Sequence, residues 1–397
     1  MESTEKTENE FKHGLDVLYL ANCALRNVTP QISVLKDMDL AAVYAIAKKH
    51  SMTAVTYYAL ENWLNSEEDQ ALEIDADLLA KWQQARDMSI RKNTMLDITR
   101  EQILAYFEEQ GIWYMPLKGS ILKDMYPRLG MRQMADNDIL IDAAYRKQVY
   151  DYMIGLGYKG TYEEQSEHDE FLKKPCYNFE IHNMLVSNRR YPVFEAYYRN
   201  VKERLVHSGG YRYNFRDEDF YIYLMVHAYK HHWEKGNGIR HIMDVHVYLE
   251  QMPNLDWSYI DQELMRLGIA EYDKTVRALA NKLFDQTCRT PWETEKLLDQ
   301  EERELLEVSV DAGTYGKLEN RIGTDLKEIA QGEQLSARIK LKYFWRRLTW
   351  EAGLYHDFPR LAKYRLLRPV LYIARAMKII FLRHKYLVAE IETVQKK

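Results

Sequence analysis

Between Gly111 and Val186 the texture of this chain changes, and that change limits the folds open to it. On either side, apolar residues recur at helical spacing over long stretches. Leu40–Leu64 contains neither Gly nor Pro, and a second long pattern runs from about Leu78 to Glu109 and stops at Gly111. Inside the window the apolar runs are short. Ile112–Leu117 (IWYMPL) lies between Gly111 and Gly119 and predicts a buried strand. Asp138–Ile141 predicts a second strand and Tyr177–Val186 a third, with Glu170–Lys174 placed to pair with it. Short helices are expected at Ser120–Tyr126, ended by Pro127, and at Ala143–Leu156, closed by Gly157. From Asp217 the helical period resumes in Phe220–Trp233, Ile239–Leu249 and Ala270–Phe284, with Asp256 able to N-cap a helix between the last two. Helical patches follow at Ile339–Trp350 and Val370–Tyr386. The pattern predicts an α+β protein: a small mixed β-sheet core flanked by N- and C-terminal helical domains. The expected divisions are an N-terminal helical region (1–100), an α+β core (101–210), a helical domain (211–330) and a basic C-terminal helical segment (331–397).

The length of 397 residues exceeds the size at which one hydrophobic core stops growing, so two or three folded units are expected. With 46% hydrophobic and 29% charged residues, the composition fits a globular protein and argues against disordered, collagen-like and membrane-bundle classes. Cys23, Cys176 and Cys288 stand far apart, with neither metal-ligand spacing nor a disulfide framework. The polar, acidic Met1–Glu10 lacks the apolar region of a signal peptide, and a cytoplasmic location is expected. Val370–Leu382, interrupted by Arg375 and Lys378, falls short of the ~20 apolar residues of a membrane span. Tyrosine is over-used: 30 Tyr against 11 Phe and 8 Trp, which predicts many half-buried helix positions. The net charge of −5 conceals a polarity, because Leu335–Lys397 holds 15 basic and 4 acidic residues.

Three short motifs carry chemistry. After IWYMPL comes Lys118-Gly119-Ser120, opening a short helix. Gly allows close backbone approach, Ser offers a hydroxyl and a helix N-terminus offers N–H groups, a combination that holds phosphate oxygens. The tripeptide also reads as an ordinary strand–turn–helix corner. Sixteen residues after Ser120 stands Asp136-Asn137-Asp138. On a strand, Asp136 and Asp138 share a face. Two adjacent carboxylates repel unless a cation neutralises them, and hard oxygen ligands suit Mg²⁺. A polar turn before a strand is the plainer alternative. The third motif is Asn178-Phe179-Glu180-Ile181-His182, where Phe179 and Ile181 would face the core and Glu180 and His182 the opposite side.

With these three motifs the sequence resembles an uncharacterised bacterial nucleotidyltransferase family of the DNA polymerase β-like nucleotidyltransferase superfamily. The resemblance rests on Leu117-Lys118-Gly119-Ser120, Tyr126-Pro127, Arg132, Asp136-Asn137-Asp138-Ile139-Leu140-Ile141, Gly157-Tyr158 and Glu180-Ile181-His182. Val226-His227-Ala228, Arg240, Asp244-Val245, Phe358-Pro359-Arg360-Leu361 and Arg368-Pro369 extend it over most of the chain from about residue 40. It implies that Gly119 and Ser120 bind a nucleoside triphosphate. It implies that Asp136, Asp138 and Glu180 hold metal, two Mg²⁺ ions in such a reaction, with Glu180 as ligand or as base for the acceptor. Lys118 and Arg132 would neutralise phosphate charge. The implied activity is transfer of a nucleoside monophosphate to an unidentified acceptor hydroxyl or phosphate.

Two regions leave alternatives open. His227 and His231 are i,i+4, as are Arg240 and Asp244, so each pair shares a helix face. This hairpin reads as a wet, paired structural element, or, with His182, as an acceptor-binding surface, or as a transition-metal site of His227, His231 and Asp244 serving a hydrolase. A non-catalytic nucleotide-binding or interaction protein that retains the fold is the other alternative. In the basic tail, Lys340, Lys342, Arg346 and Arg347 alternate with Leu341, Tyr343, Phe344 and Trp345. That pattern suits an anionic membrane surface, RNA, or docking onto the acidic body of the protein.

Overall fold

The periodic N-terminal stretches form α1 (Glu2–Arg26), α2 (Ile32–Lys36), α3 (Leu40–Lys49), α4 (Thr53–Leu64) and α5 (Ala76–Gln110). The computed structural model describes residues 2–66, 72–160, 162, 166–186, 191–314, 316, 318–330, 333–349, 354, 357–358, 361, 364–382 and 384–396. Trp350 of the expected helical patch, Arg383 within the next one, and Pro359 and Arg360 of the tail motif lie outside these residues. Leu40–Leu64 is two helices because its middle is anchored elsewhere. The buried His50 ring contacts the Val310 carbonyl at 3.1 Å and takes the Ile239 N–H at 3.3 Å, and Ser51 turns through a positive φ of 54°. In α5 the Asp75 carboxylate accepts the Leu78 N–H at the start, and Gly111 ends the helix at φ 68°, where a β-carbon is unfavourable.

The window between Gly111 and Val186 folds as expected into a small mixed sheet. Its strands are β1 (Tyr114–Pro116), β2 (Asn137–Ile141), β3 (Lys159–Gly160), β4 (His168–Lys173) and β5 (Tyr177–His182), in the order β1-β2-β5-β4-β3. The β2–β5 pair is parallel and the other pairs are antiparallel. Helices α6 (Gly119–Leu122) and α7 (Arg146–Gly155) follow β1 and β2. Alternation assigns the two faces of the sheet. Ile139, Ile141, Phe171, Phe179 and Ile181 pack on Ile103, Leu104 and Phe107 of α5 and Val149 and Met153 of α7. Each such side chain contributes roughly 1.5–3 kcal/mol by leaving water. A one-residue slip of β5 would expose Phe179 and Ile181, so this layer pins the register that directs Asp138, Glu180 and His182 to the other face.

Beyond the sheet come α8 (Pro192–Tyr198), a β6 (Leu205–His207)–β7 (Tyr213–Phe215) hairpin, and the helices α9 (Asp217–Lys235), α10 (Arg240–Gln251), α11 (Trp257–Leu267), α12 (Ala270–Leu283), α13 (Pro291–Leu297) and α14 (Gln300–Ala312). The Asp256 side chain caps α11 by accepting the Tyr259 N–H. One hydrophobic core runs through both helical regions, joining Leu18 and Leu20 of α1 to Leu60 of α4, Tyr221 and Ile222 of α9, and Leu279 of α12. Several tyrosines pack their rings here while their hydroxyls meet buried carboxylates, as Tyr221 does at Asp273 and Tyr259 at Asp219. The fold is α+β, a five-stranded mixed sheet set among helices.

The C-terminal segment supplies α15 (Leu318–Ala330), α16 (Ala337–Thr349), α17 (Arg368–Leu382) and α18 (His384–Lys396). It has a small core of its own, where Ile322 and Leu326 meet Ile339, Tyr343 and Val394. Tyr343 and Arg347 both bond Glu390. No described helix is long and apolar enough to cross a membrane.

Candidate active site

The turn after β1 brings the first group into place. Lys118 takes φ 33° and ψ −99°, a strained backbone for a residue with a β-carbon. Its ammonium stands 3.5 Å from Asp138 Oδ2 and donates to His227 Nε2 at 3.5 Å. Burial acts to lower the Lys118 pKa, but Asp138, together with Tyr223, Glu180 and Asp136, outweighs it and holds the ammonium above the ordinary lysine range.

The parallel register sets Asp138 of β2 beside Glu180 of β5. His182, two residues on, directs Nε2 to Asp138 Oδ1 at 3.1 Å and lies 3.6 Å from Glu180 Oε2. Burial would raise the Asp138 pKa, yet Lys118 and then His182 hold its carboxyl well below the usual range. Asp136 sits just before β2 rather than within it. Its carboxyl is pushed up to about 7, first by burial and then by the charges of Asp138 and Glu180. Asn137 between them turns the other way: its amide donates to the Leu96 carbonyl and its oxygen accepts from Arg100. The result is a half-buried acidic centre of three carboxylates with the Lys118 ammonium among them.

A second polar node lies behind the first. Arg132 donates to both oxygens of Asp244, at 2.8 and 3.0 Å, and Tyr126 donates to Asp244 Oδ1 at 2.7 Å. Burial would raise the Asp244 pKa, but the Arg132 charge and hydrogen bonds hold it down. The expected Arg132 therefore engages Asp244, and Gly119 has no β-carbon for a related reason: one would meet Arg132 Nη1 at 2.8 Å and Met134 Cε at 2.9 Å. The Ser120 hydroxyl donates back to the Leu117 carbonyl at 2.8 Å, fixing the turn. Arg240 donates to the Gln133 carbonyl at 2.9 Å, and its charge reaches Asp136.

The helical hairpin supplies His227 against Lys118, with the His231 ring 4.2 Å away between centroids. Burial holds both imidazoles well below the ordinary histidine range. His227, His231 and Asp244 do not form the metal trio their spacing allows, because Asp244 is bound by Arg132 and Tyr126. Among the described residues the group of metal-ligating side chains that does converge is His168, Glu180 and His182. His168 is a residue that sequence reasoning missed. Its signal was the alternation in His168-Asp169-Glu170-Phe171, which places His168 and Glu170 on one face, but the antiparallel register opposite His182 appears only in the fold.

Residues 36–285 match the model of a family described as uncharacterised nucleotidyltransferase. The chain belongs to this family. Comparisons with curated proteins and with solved structures found no match. The stretch matched to the nucleotidyltransferase family contains β1 to β5, both polar nodes and the His227–Asp244 hairpin, and ends before the basic C-terminal segment.

The residues present fit a divalent cation at the acidic centre. Asp136, Asp138 and Glu180 offer hard oxygen donors, and burial with the neighbouring Asp138 and Glu180 charges raises the Asp136 pKa, a cost that a bound cation would relieve. The three acids do not yet lie within 4.8 Å of one another as a closed ligand set.

Proposed function

We propose that this nucleotidyltransferase moves a nucleoside monophosphate from a nucleoside triphosphate to an acceptor hydroxyl or phosphate, with Mg²⁺ at the acidic centre. The observation that carries this reading is the β2–β5 register, which sets Asp138 beside Glu180 and both beside the Lys118 ammonium. Asp136, Asp138 and Glu180 would hold the cations, whose charge would stabilise the attacking oxygen and the departing pyrophosphate. Lys118 stands where it can meet phosphate oxygens, and Gly119 lets the backbone approach them. Arg240, at the edge of the centre near Asp136, is placed to share that task. Arg132 and Ser120 act on the nucleotide through the turn they fix. Where Glu180 does not ligate a cation it would serve as base for the acceptor proton, with His182 Nε2 3.6 Å away. His227 and His231 line the side of the centre nearest the hairpin and would meet the acceptor.

The test is incubation with each labelled triphosphate and Mg²⁺, with and without cell extract, for wild type and the Asp136→Asn/Asp138→Asn variant. Pyrophosphate release and label transfer are expected from wild type alone. Equal release from both proteins overturns the assignment.

For the basic C-terminal segment, a specific observation favours an anionic membrane surface over RNA. Val370, Ile373, Met377 and Phe381 of α17 are all exposed and recur at helical spacing on one side. Such a stripe in a strongly basic segment lies on a bilayer rather than across it. Sedimentation with phosphatidylglycerol vesicles, but not with phosphatidylcholine vesicles, is expected, and Ile373→Ser/Phe381→Ser should abolish it.

A further inference from the structure

We propose that His168, Glu180 and His182 form a transition-metal site that takes Zn²⁺, Mn²⁺ or Co²⁺ in preference to Mg²⁺. The register of β4 on β5 sets His168 opposite His182 and Glu170 opposite Glu180. All four project to the face away from the hydrophobic layer. The two imidazoles approach with ring centroids 4.9 Å apart and an interplanar angle of 40°. His168 Nε2 and His182 Nε2 each stand 3.6 Å from the same atom, Glu180 Oε2. One donor atom from each of the three residues lies within 4.8 Å of the others.

At 3.6 Å these contacts are too long for hydrogen bonds. His182 Nε2 instead meets Asp138 Oδ1 at 3.1 Å, so a cation entering between His168, Glu180 and His182 would replace that hydrogen bond and release the ring proton to solvent. Donors bound at about 2.0–2.2 Å around a tetrahedral Zn²⁺ stand roughly 3.3 Å apart, so the two contacts to Glu180 Oε2 need to close by only a few tenths of an ångström, and the two imidazoles start within 4.8 Å of each other. His182 is 6% exposed, and its Nδ1 is buried without a hydrogen-bond partner, as is the Nδ1 of His168. Neither ring is committed through its Nδ1, and His182 is oriented by its Nε2 contact with Asp138.

The donor set decides the metal. Mg²⁺ demands oxygen ligands and keeps its waters, whereas two imidazoles with a carboxylate suit Zn²⁺, Mn²⁺ and Co²⁺. Asp138 Oδ1, 3.1 Å from His182 Nε2, stands at the boundary between this site and the acidic centre. The site shares Glu180 with the proposed transferase centre and deepens that reading, yet it binds metal without nucleotide or turnover. It gives the third-carboxylate corner of the centre a resident ion of its own, beside the Mg²⁺ that arrives with the triphosphate.

The test is titration of the metal-free full-length chain with Zn²⁺ by calorimetry and with Co²⁺ by visible absorption, in the absence of nucleotide. One equivalent is expected to bind, Co²⁺ giving ligand-field bands, and excess Mg²⁺ should not displace either ion. His168→Ala, at a half-exposed position, should weaken binding by at least the roughly 10–100-fold seen for changes behind a metal ligand. His207→Ala, an exposed histidine on β6, controls for surface binding and should change nothing. Binding that is equal in wild type and His168→Ala, or that Mg²⁺ competes away at equal concentration, overturns the proposal. Zn²⁺ binding that depends on His168 in a chain that transfers no nucleotide supports the site and removes the transferase reading. Turnover without such binding does the reverse.

Discussion

Two carboxylate nodes lie close together in this protein, and they are built on opposite plans. Asp244 is buried, receives two hydrogen bonds from Arg132 and one from Tyr126, and is held ionised. Asp136, Asp138 and Glu180 gather around the Lys118 ammonium, and Asp136 is driven up to about 7, first by burial and then by its acidic neighbours, in spite of Lys118 and Arg240. A buried carboxylate that accepts three hydrogen bonds and faces a guanidinium stabilises a fold, while carboxylates left under-neutralised store a demand for a cation. The first node packs against the turn that carries Lys118 and Gly119, and the second is the one proposed to carry the chemistry.

The sharpest way to break this contrast is to remove one partner of the satisfied node. Asp244→Ala leaves Arg132 buried and unpaired, and should lower stability by about 3–5 kcal/mol in denaturant titration. Asp136→Asn should behave oppositely. Label transfer should fall by about 10³-fold, near 4 kcal/mol of barrier, with no loss of stability. A raised Asp136 pKa means the folded state holds a proton that the unfolded state has released, so stability declines as pH rises from the ordinary carboxylate range through about 7. The Asn variant lacks that decline, and melting temperatures at pH 6 and 8 will show it.

Histidine burial gives a pH dependence of the other sign. His50 is lowered to about 3, by burial first and then by Lys49. Its neutral form is the one the fold accepts, so stability is complete above the ordinary histidine pKa and declines as pH falls toward 3. By pH 5 this one residue should remove roughly 2 kcal/mol, and His50→Gln should flatten the acid limb of the melting curve. The smallest effect is expected for Arg132→Lys, which keeps the charge at Asp244 but loses the paired geometry. A loss of about 1.5 kcal/mol in denaturant titration is expected, together with a rise in KM for the triphosphate as the turn loosens.

Much of the sheet was legible because alternation is local. Phe179 and Ile181 read as core and Glu180 and His182 as the opposite face, and the burial follows that reading. Asp136 and Asp138 read as neighbours on one face, and the strand begins one residue later, at Asn137. Gly111 read as a helix stop and takes a left-handed conformation. What escaped was pairing across distance. The family resemblance implied a phosphate-neutralising role for Arg132; in the fold its partner is Asp244, 112 residues away. His168 carried no motif, and its role appears only when β4 folds back on β5.

The sequence by itself determined which residues turn inward, where helices stop, and which short motifs carry carboxylates and ammonium groups. These follow from backbone periodicity and from conformations that single residues permit, which need no distant partner. The tertiary structure alone decided which charges meet: Lys118 with Asp138, Arg132 with Asp244, and His168 with Glu180 and His182. Electrostatic partnership depends on separation in space, and strand register and helix packing set that separation over a hundred residues of chain.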